Sequence, residues 1–84
     1  MEIEVNIKDQ GSGFDFDKAR EVAKSLASNF GDAMMLSWCD HEKGNWHPVA
    51  ECCGDKSWEI YANKRGSNLR ITINKDYEFM FYLN

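Results

Sequence analysis

The stretch that decides the fold is DFDKAREVAKSLASNFG, residues 15–31. Its apolar residues recur at helical spacing and would share one side of a helix. They are Phe16, Ala19, Val22, Ala23, Leu26, Ala27 and Phe30. Asp15 or Asp17 can act as the N-cap, and Gly31 stands where a left-handed residue commonly ends a helix. The stretch therefore predicts one amphipathic helix over about residues 15–30.

The segments on either side of this helix have the two-residue period of β-strands. Before it, Ile3, Val5 and Ile7 alternate with polar residues, and after it apolar runs are separated by short turn-like sequences. The predicted strands are 2–8, 33–39, 46–52, 57–62, 69–73 and 77–83. Short turns between strands require antiparallel neighbours. The sequence therefore predicts an α+β fold of order β-α-β-β-β-β-β, a two-layer α/β sandwich with one helix packed on a mostly antiparallel sheet.

The size and charge of the chain restrict its class and its partners. Its 84 residues suit a single domain, 1–84, and 43% hydrophobic residues can supply a core. Fourteen acidic residues against ten basic ones give a net charge of −4, which argues against nucleic acid and against an anionic membrane as partners. Residues 1–8 lack the pattern of a signal peptide, and the three cysteines are an odd number, so we expect a cytoplasmic location.

One helix can cover only part of one sheet face, so the sequence leaves the opposite face open. Five aromatic residues are candidates for binding there: Trp38, Trp46, Trp58, Tyr61 and Tyr82. An exposed apolar face usually binds something, and tryptophan is common in interface hot spots. We therefore expect a small binding or protein-interaction module that associates with a protein partner or forms a homodimer. The alternative is a curled sheet in which these aromatic residues are simply core.

The segment from Trp38 to Cys53 contains every cysteine and histidine of the chain. The candidate metal ligands are Cys39, His41, His47, Cys52 and Cys53, and thiolate with imidazole would suit zinc or iron. The spacing matches no standard zinc motif. If His41 faced His47 in a regular hairpin, Cys39 would pair with Val49, and Cys53 would lie about 13 Å along the strand from that pair. Cys39, His41 and His47 could still form a three-ligand site, and a bulge at Pro48 could draw Cys52 closer.

The same segment also permits thiol chemistry. The adjacent Cys52 and Cys53 precede a turn, and Cys39 or Cys52 could form a nucleophile–base set with His47 and Asp40. The alternative is that the cysteines are small buried hydrophobic residues. A chain this short leaves little room for a deep pocket. We therefore expect a protein that is not an enzyme and that has no cofactor apart from the zinc considered above.

Overall fold

The computed structural model describes residues 1–7, 14–48 and 56–84. Its elements in chain order are β1 (Glu2–Val5), α1 (Phe16–Ser28), β2 (Ala33–Asp40), β3 (Asn45–His47), α2 (Ser57–Lys64), β4 (Leu69–Ile73) and β5 (Tyr77–Leu83). The predicted α+β class is confirmed, with an amphipathic helix packed on a mostly antiparallel sheet. Of the predicted strand 46–52, only Trp46 and His47 lie in β3; Pro48 is outside the strand, and residues 49–52 lie outside the described ranges.

The five strands form one mixed sheet in the order β1-β4-β5-β2-β3. Three neighbouring pairs are antiparallel, and only β1 runs parallel to its neighbour, β4. The sequence did not determine where β1 lies, because its partner is distant along the chain. Backbone hydrogen bonds hold β1 at this edge: Arg70 N donates to Met1 O at 2.9 Å, and Asn74 N donates to Val5 O at 2.7 Å.

Helix α1 packs on one face of the sheet through its smallest residues. Asp15, one of the two candidate N-caps, caps the helix by accepting a hydrogen bond from Lys18 N at 3.1 Å. The fully buried helix residues are Ala19, Ala23 and Ala27. Because alanine side chains are short, the helix axis can lie close to the large side chains of the sheet. These are Leu69, Ile71 and Ile73 of β4 and Tyr77, Phe79 and Phe81 of β5.

The prediction of a strand at 57–62 was wrong, because this segment forms the helix α2. Trp58 and Ala62 are buried four residues apart on one side of that helix. They pack with Cys39 and Met80, whose side chains alternate with those that face α1. The sheet therefore carries a helix on each face, where the sequence predicted a helix on one. A short apolar run does not distinguish a strand from a helix by its period alone, and here the tertiary contacts decide.

A bulge in β2 determines which residues face α2. Met35 pairs with Phe81, but the next pair is Ser37 with Met80, so Leu36 is an extra residue. After the bulge, Trp38 faces α1 and Cys39 faces α2. None of the described helices is long and apolar enough to cross a membrane.

Candidate functional site

A cluster of chemically active side chains lies on the α2 face of the sheet, where β2 ends and β5 begins. Cys39 is the penultimate residue of β2, and His41 follows the strand directly. Glu78 is the residue of β5 directly opposite Cys39. A backbone hydrogen bond of 2.7 Å from His41 N to Asp76 O joins the end of β2 to the start of β5. The sheet register thus brings a thiol, an imidazole and a carboxylate together.

The imidazole of His41 connects the other two groups. Its Nδ1 lies 3.7 Å from Cys39 Sγ, and its Nε2 donates to Glu78 Oε2 at 2.5 Å. Because an ionised carboxylate only accepts hydrogen bonds, Nε2 is the donor to Glu78, and Nδ1 is the ring nitrogen beside the sulfur. Cys39 is only 4% exposed, whereas the His41 side chain is 45% exposed. The sulfur therefore lies inside the domain, and the imidazole lies at its surface.

Arg70 of β4 holds the second oxygen of Glu78. Its NH1 donates to Glu78 Oε1 at 3.2 Å, and its NH2 donates to Glu59 of α2. Burial lowers the pKa of Arg70, but the hydrogen bond to Glu59 and the charges of Glu59, Glu78 and Glu2 act the other way, and its pKa is raised overall. The guanidinium carbon lies 5.9 Å from the centre of the Trp58 ring. Arg70 is therefore a permanent cation between two carboxylates.

These side chains surround a surface pocket of about 240 Å³. Its lining consists of His41, Lys56, Trp58, Glu59, Arg70 and Glu78. The rings of His41 and Trp58 meet edge to face, with centroids 6.4 Å apart. Since Trp58 also packs in the same cluster as Cys39, α2 borders both the pocket and the buried sulfur.

Two buried polar groups lie on the same sheet face as the sulfur. Trp46 is directly opposite Cys39 in the β2–β3 pair, and Ser37 lies two residues before it. Within the part of the chain that the structure describes, Trp46 Nε1 and Ser37 Oγ are buried and have no hydrogen-bond partner. Such groups are uncommon, because burial without a partner costs free energy. The α2 face of the sheet thus carries two buried polar atoms without a hydrogen-bond partner among the described residues.

The structure separates His47 from the other candidate ligands. The supposed register, with His41 opposite His47, does not occur, because Trp38 pairs with His47 and Cys39 pairs with Trp46. The His47 ring stacks on Trp38 on the α1 face, with centroids 6.0 Å apart. The hypothesised three-ligand site with His47 therefore does not form.

The remaining candidate ligands can be placed only in part. Cys52 and Cys53 lie outside the described residues. In residues 1–7, 14–48 and 56–84, no three side chains of His, Cys, Asp or Glu are grouped closely enough to hold a metal ion. The hypothesised nucleophile–base set also fails for Cys39, because Asp40 faces α1 and accepts hydrogen bonds from the backbone of Glu42 and Lys43.

The candidate binding aromatics do not form the single open face that the sequence predicted. Trp58 is buried beneath α2, Trp46 is half-buried beside it, and Trp38 packs on Phe16 on the α1 face, with ring centroids 4.5 Å apart. Tyr61 lies under the Arg65 guanidinium, whose carbon is 4.2 Å from the ring centre. Tyr82 stays 40% exposed. Helix α2 accounts for this difference, because it covers the middle of the face.

The sequence interpretation did not identify Glu78, Arg70 or Glu59 as site residues. The sequence does contain a signal for two of them, because Arg70 and Glu78 are charged residues in two predicted neighbouring strands. Arg70 pairs with Met80, so Glu78 is its diagonal neighbour on the same face. That relation requires the register of β4 with β5. The role of Glu59 further requires that its segment is a helix.

Comparison with known proteins identifies the family. The family model "Domain of unknown function (DUF5619)" matches residues 2–81. The chain belongs to this family. A relative from Archaeoglobus fulgidus, named "Uncharacterized protein", is 42% identical over 80 residues, which cover 95% of this chain and 84% of the relative.

A solved structure shows the same fold. The crystal structure of protein AF1514 from Archaeoglobus fulgidus matches with a TM-score of 0.87 and 40% sequence identity, covering 99% of this chain and 93% of that chain. The DUF5619 fold described above is thus supported by an experimental structure of a similar protein. None of these names states an activity or a ligand.

Proposed function

We propose that this DUF5619 domain is a small cytoplasmic metal-binding module in which Cys39 and His41 are two ligands of a zinc or iron ion. The observation that carries the proposal is the distance of 3.7 Å between Cys39 Sγ and His41 Nδ1. Zinc bonds of about 2.3 Å to sulfur and 2.0–2.1 Å to nitrogen, at a tetrahedral angle, put the two ligand atoms about 3.6 Å apart. The two atoms are therefore spaced as two ligands of one ion would be, and the imidazole ring would have to turn for Nδ1 to face that ion.

Glu78 gives the imidazole the hydrogen-bond partner that a histidine ligand usually has. Histidine ligands almost always donate their second ring N–H to a carboxylate, a carbonyl or water, which fixes the tautomer and the ring plane. His41 makes this hydrogen bond to Glu78, and its Nδ1 is the ring nitrogen beside Cys39.

Two protein ligands do not complete a zinc site. Structural zinc sites have four protein ligands, and catalytic sites have three with a water molecule. The sequence-based prediction that Cys52 and Cys53 supply further ligands stays a prediction. The cytoplasmic location is part of the same proposal, because thiolates stay reduced there. In a chain this short, a metal would also add stability that a small core supplies only in part.

The test is a metal titration with matched variants. We expect chain purified without chelator to contain about one zinc or iron per molecule by elemental analysis, and Co²⁺ to give a thiolate charge-transfer band. Loss of a residue that only supports a ligand typically costs 10–100-fold in metal affinity. Loss of a ligand itself, in Cys39→Ser or His41→Ala, should therefore weaken zinc binding by at least about tenfold.

His47→Ala is the control, because the chain's other histidine lies on the opposite sheet face. It should leave the zinc affinity unchanged within about twofold, whereas Cys52→Ser and Cys53→Ser identify any further ligands. Wild-type protein that binds no metal would overturn the proposal. Equal losses from His41→Ala and His47→Ala would also contradict it.

We also propose, as a second candidate function, an interaction surface centred on Met34 and Tyr82. These cross-strand partners are 62% and 40% exposed. With Asp32, Ala33 and Asn84 they line an open depression of about 430 Å³. Exposed apolar neighbours of this kind are typical of contact surfaces, either with another protein or with a second copy of the chain.

Sedimentation equilibrium tests the homodimer form of this second proposal. The wild-type chain should self-associate with increasing concentration, and Met34→Lys should shift it to monomer, because burying a charge in an apolar contact is costly. Ile60→Lys, at an exposed position of α2, is the control and should behave as the wild type. A wild-type chain that stays monomeric at every concentration would contradict self-association here.

A further inference from the structure

We infer that the open edge of strand β2 pairs with the same edge of a second copy, so that two five-stranded sheets join into one continuous sheet. The open edge is the side of residues 33–35 that faces away from β5. The pairing rests on the second candidate function, because it states how the surface around Met34 and Tyr82 associates. The lengths of the strands and the backbone hydrogen bonds at the start of β2 carry it.

Strand β2 is longer than the strand that covers its outer side. It has eight residues, whereas β3 has three and pairs only with residues 38–40. Pro48, which follows β3, has no N–H donor, and its carbonyl accepts from the Ser57 hydroxyl at the start of α2, at 3.2 Å. Among the described residues, no strand therefore lies beside residues 33–35 on the side away from β5.

The backbone groups of β2 point alternately towards β5 and away from it. Asn84 N donates to Asp32 O at 3.0 Å, so these two residues lie at a hydrogen-bonded position of the β2–β5 ladder. Every second residue pair of an antiparallel ladder is hydrogen-bonded. Met34 therefore turns its N–H and C=O towards β5, whereas Ala33 and Met35 turn theirs outwards.

The ladder partner of Ala33 shows the same alternation. Leu83 pairs with Ala33, but its N–H points to the other side, where it donates to Asn68 Oδ1 at 2.7 Å. The Ala33–Leu83 pair is thus a position without hydrogen bonds across the β2–β5 ladder. Residues 33 and 35 each present one N–H and one C=O at the open edge. This is the spacing at which one more antiparallel strand forms its hydrogen bonds.

A second copy fits this edge because the edge is complementary to itself. A two-fold axis through Met34, perpendicular to the sheet, brings Ala33 of each copy opposite Met35 of the other. Both of these residue pairs then exchange N–H···O bonds. Met34 meets its counterpart at the axis as a non-hydrogen-bonded pair, with Cα atoms about 4.5 Å apart. Its side chain is 62% exposed, and methionine is flexible enough to pack in such a contact.

The two edges of the sheet differ in charge, and the difference favours β2 for self-association. At the other edge, Met1 O and Val5 O accept hydrogen bonds from β4. Glu2 and Glu4 alternate with them and turn their backbone groups outwards. Two carboxylates along an open edge repel a second copy, which is a common protection of edge strands. Residues 33–36, Ala-Met-Met-Leu, contain neither a charge nor a proline.

Amide hydrogen exchange of the wild-type chain at two concentrations tests the pairing. Where sedimentation equilibrium shows the dimer, the amides of Ala33 and Met35 should exchange at least about tenfold more slowly than in the dilute monomer. The amide of Glu4 is the control, because it faces outwards at the β1 edge and should exchange equally fast at both concentrations. Protection of Ala33 and Met35 that is equally strong at both concentrations would place a strand of the same chain on this edge and would overturn the pairing.

A proline at the first residue of β2 separates backbone pairing from apolar contact. Ala33→Pro removes an N–H that makes no bond to β5, and proline is tolerated at the first position of an edge strand. The variant should weaken dimerisation at least about tenfold, because each dimer loses one inter-chain hydrogen bond per copy. Ala33→Ser is the matched control, since it keeps the N–H, and its dimer affinity should stay within about twofold of the wild type.

A disulfide across the axis gives a second measurement that does not depend on the proline variant. The expected Cα separation of about 4.5 Å at Met34 lies within the range that a disulfide spans. Met34→Cys should therefore form a covalent dimer without reductant on electrophoresis. Ile60→Cys, exposed on α2 and away from the axis, is the control and should remain a monomer under the same conditions.

The outcomes distinguish the surface from the way in which it pairs. A wild-type chain that is monomeric at every concentration would remove the homodimer itself and leave the edge to a strand of a different protein. A dimer in which the Ala33 and Met35 amides stay unprotected would keep the surface and overturn the strand pairing alone. Equal dimer affinities of Ala33→Pro and Ala33→Ser would also refute the pairing.

Discussion

Replacing Phe79 with alanine is expected to lower the free energy of unfolding by about 3–5 kcal/mol. Phe79 is fully buried in the middle of β5, the central strand of the sheet. Its ring packs on Phe16 of α1 with centroids 5.5 Å apart, and its strand neighbours are Ile71 and Trp38. The truncation would leave a cavity between the helix and three strands, and a rigid sheet collapses into such a space only in part.

The effect is large relative to the stability of so small a domain. At roughly 0.05–0.15 kcal/mol per residue, this chain should have a total stability of roughly 4–13 kcal/mol. Thermal unfolding followed by circular dichroism should show a lower midpoint by about 4–8 °C for each kcal/mol lost. Tyr82→Ala is the matched control on the same strand, because Tyr82 is exposed and should cost under about 1 kcal/mol. Comparable losses in both variants would contradict the core that is described here.

Raising the pH from about 10 to 12 is expected to destabilise the domain through Tyr77. Burial of this phenol, its hydrogen bond to Glu42 and the charges of Glu42, Asp40 and Asp76 raise the pKa of Tyr77 to about 12. An unfolded tyrosine titrates near pH 10, so the folded chain binds more protons between these two values. Stability from this group is therefore complete below about pH 10 and is lost as the pH rises towards 12.

The expected loss of stability depends on the hydrogen-bonded pair of Tyr77 and Glu42, and a variant of Tyr77 provides the control. A shift of two pH units corresponds to roughly 3 kcal/mol at most, and water around the exposed Glu42 should reduce it to about 1–3 kcal/mol. Tyr77→Phe keeps the ring packing and removes the ionisable hydroxyl. Urea unfolding at a series of pH values should show that the free energy of unfolding falls less between about pH 10 and 12 in Tyr77→Phe than in the wild type. Identical slopes in the two proteins would contradict this role of Tyr77.

The elements with strong local patterns were predictable from sequence. Helix α1 has six apolar residues at helical spacing that pack in the core, so its local pattern and its buried face agree, whereas Phe30 lies beyond the helix and is exposed. Strand β4 alternates cleanly, β5 is apolar on both faces after Glu78, and both strands occupy the predicted ranges. The prediction failed at α2, where eight residues with weak amphipathicity permit either structure. Contact with the second face of the sheet makes α2 a helix, and no pattern within residues 57–64 contains that information.

The candidate site was predictable only where its residues are neighbours in sequence. Cys39 and His41 are two residues apart at a strand end, and the structure keeps them together. His47 was grouped with them by assuming a hairpin register, and a different register places it on the other face. Glu78 is 37 residues from His41, so only the β2–β5 register could have shown that they meet.

The sequence by itself determined the α+β class and the helix that begins after Asp15, because both follow from the spacing of apolar residues over short distances. The folded sheet was needed to show that a second helix covers its other face, and that Glu78 joins His41 to Arg70 there. The physical reason is that strand register and the choice of a covering element depend on contacts between residues far apart in the chain. The stretch 15–31 therefore specifies the helix on one face of the sheet. The helix and the candidate site on the other face depend on contacts that exist only in the folded domain.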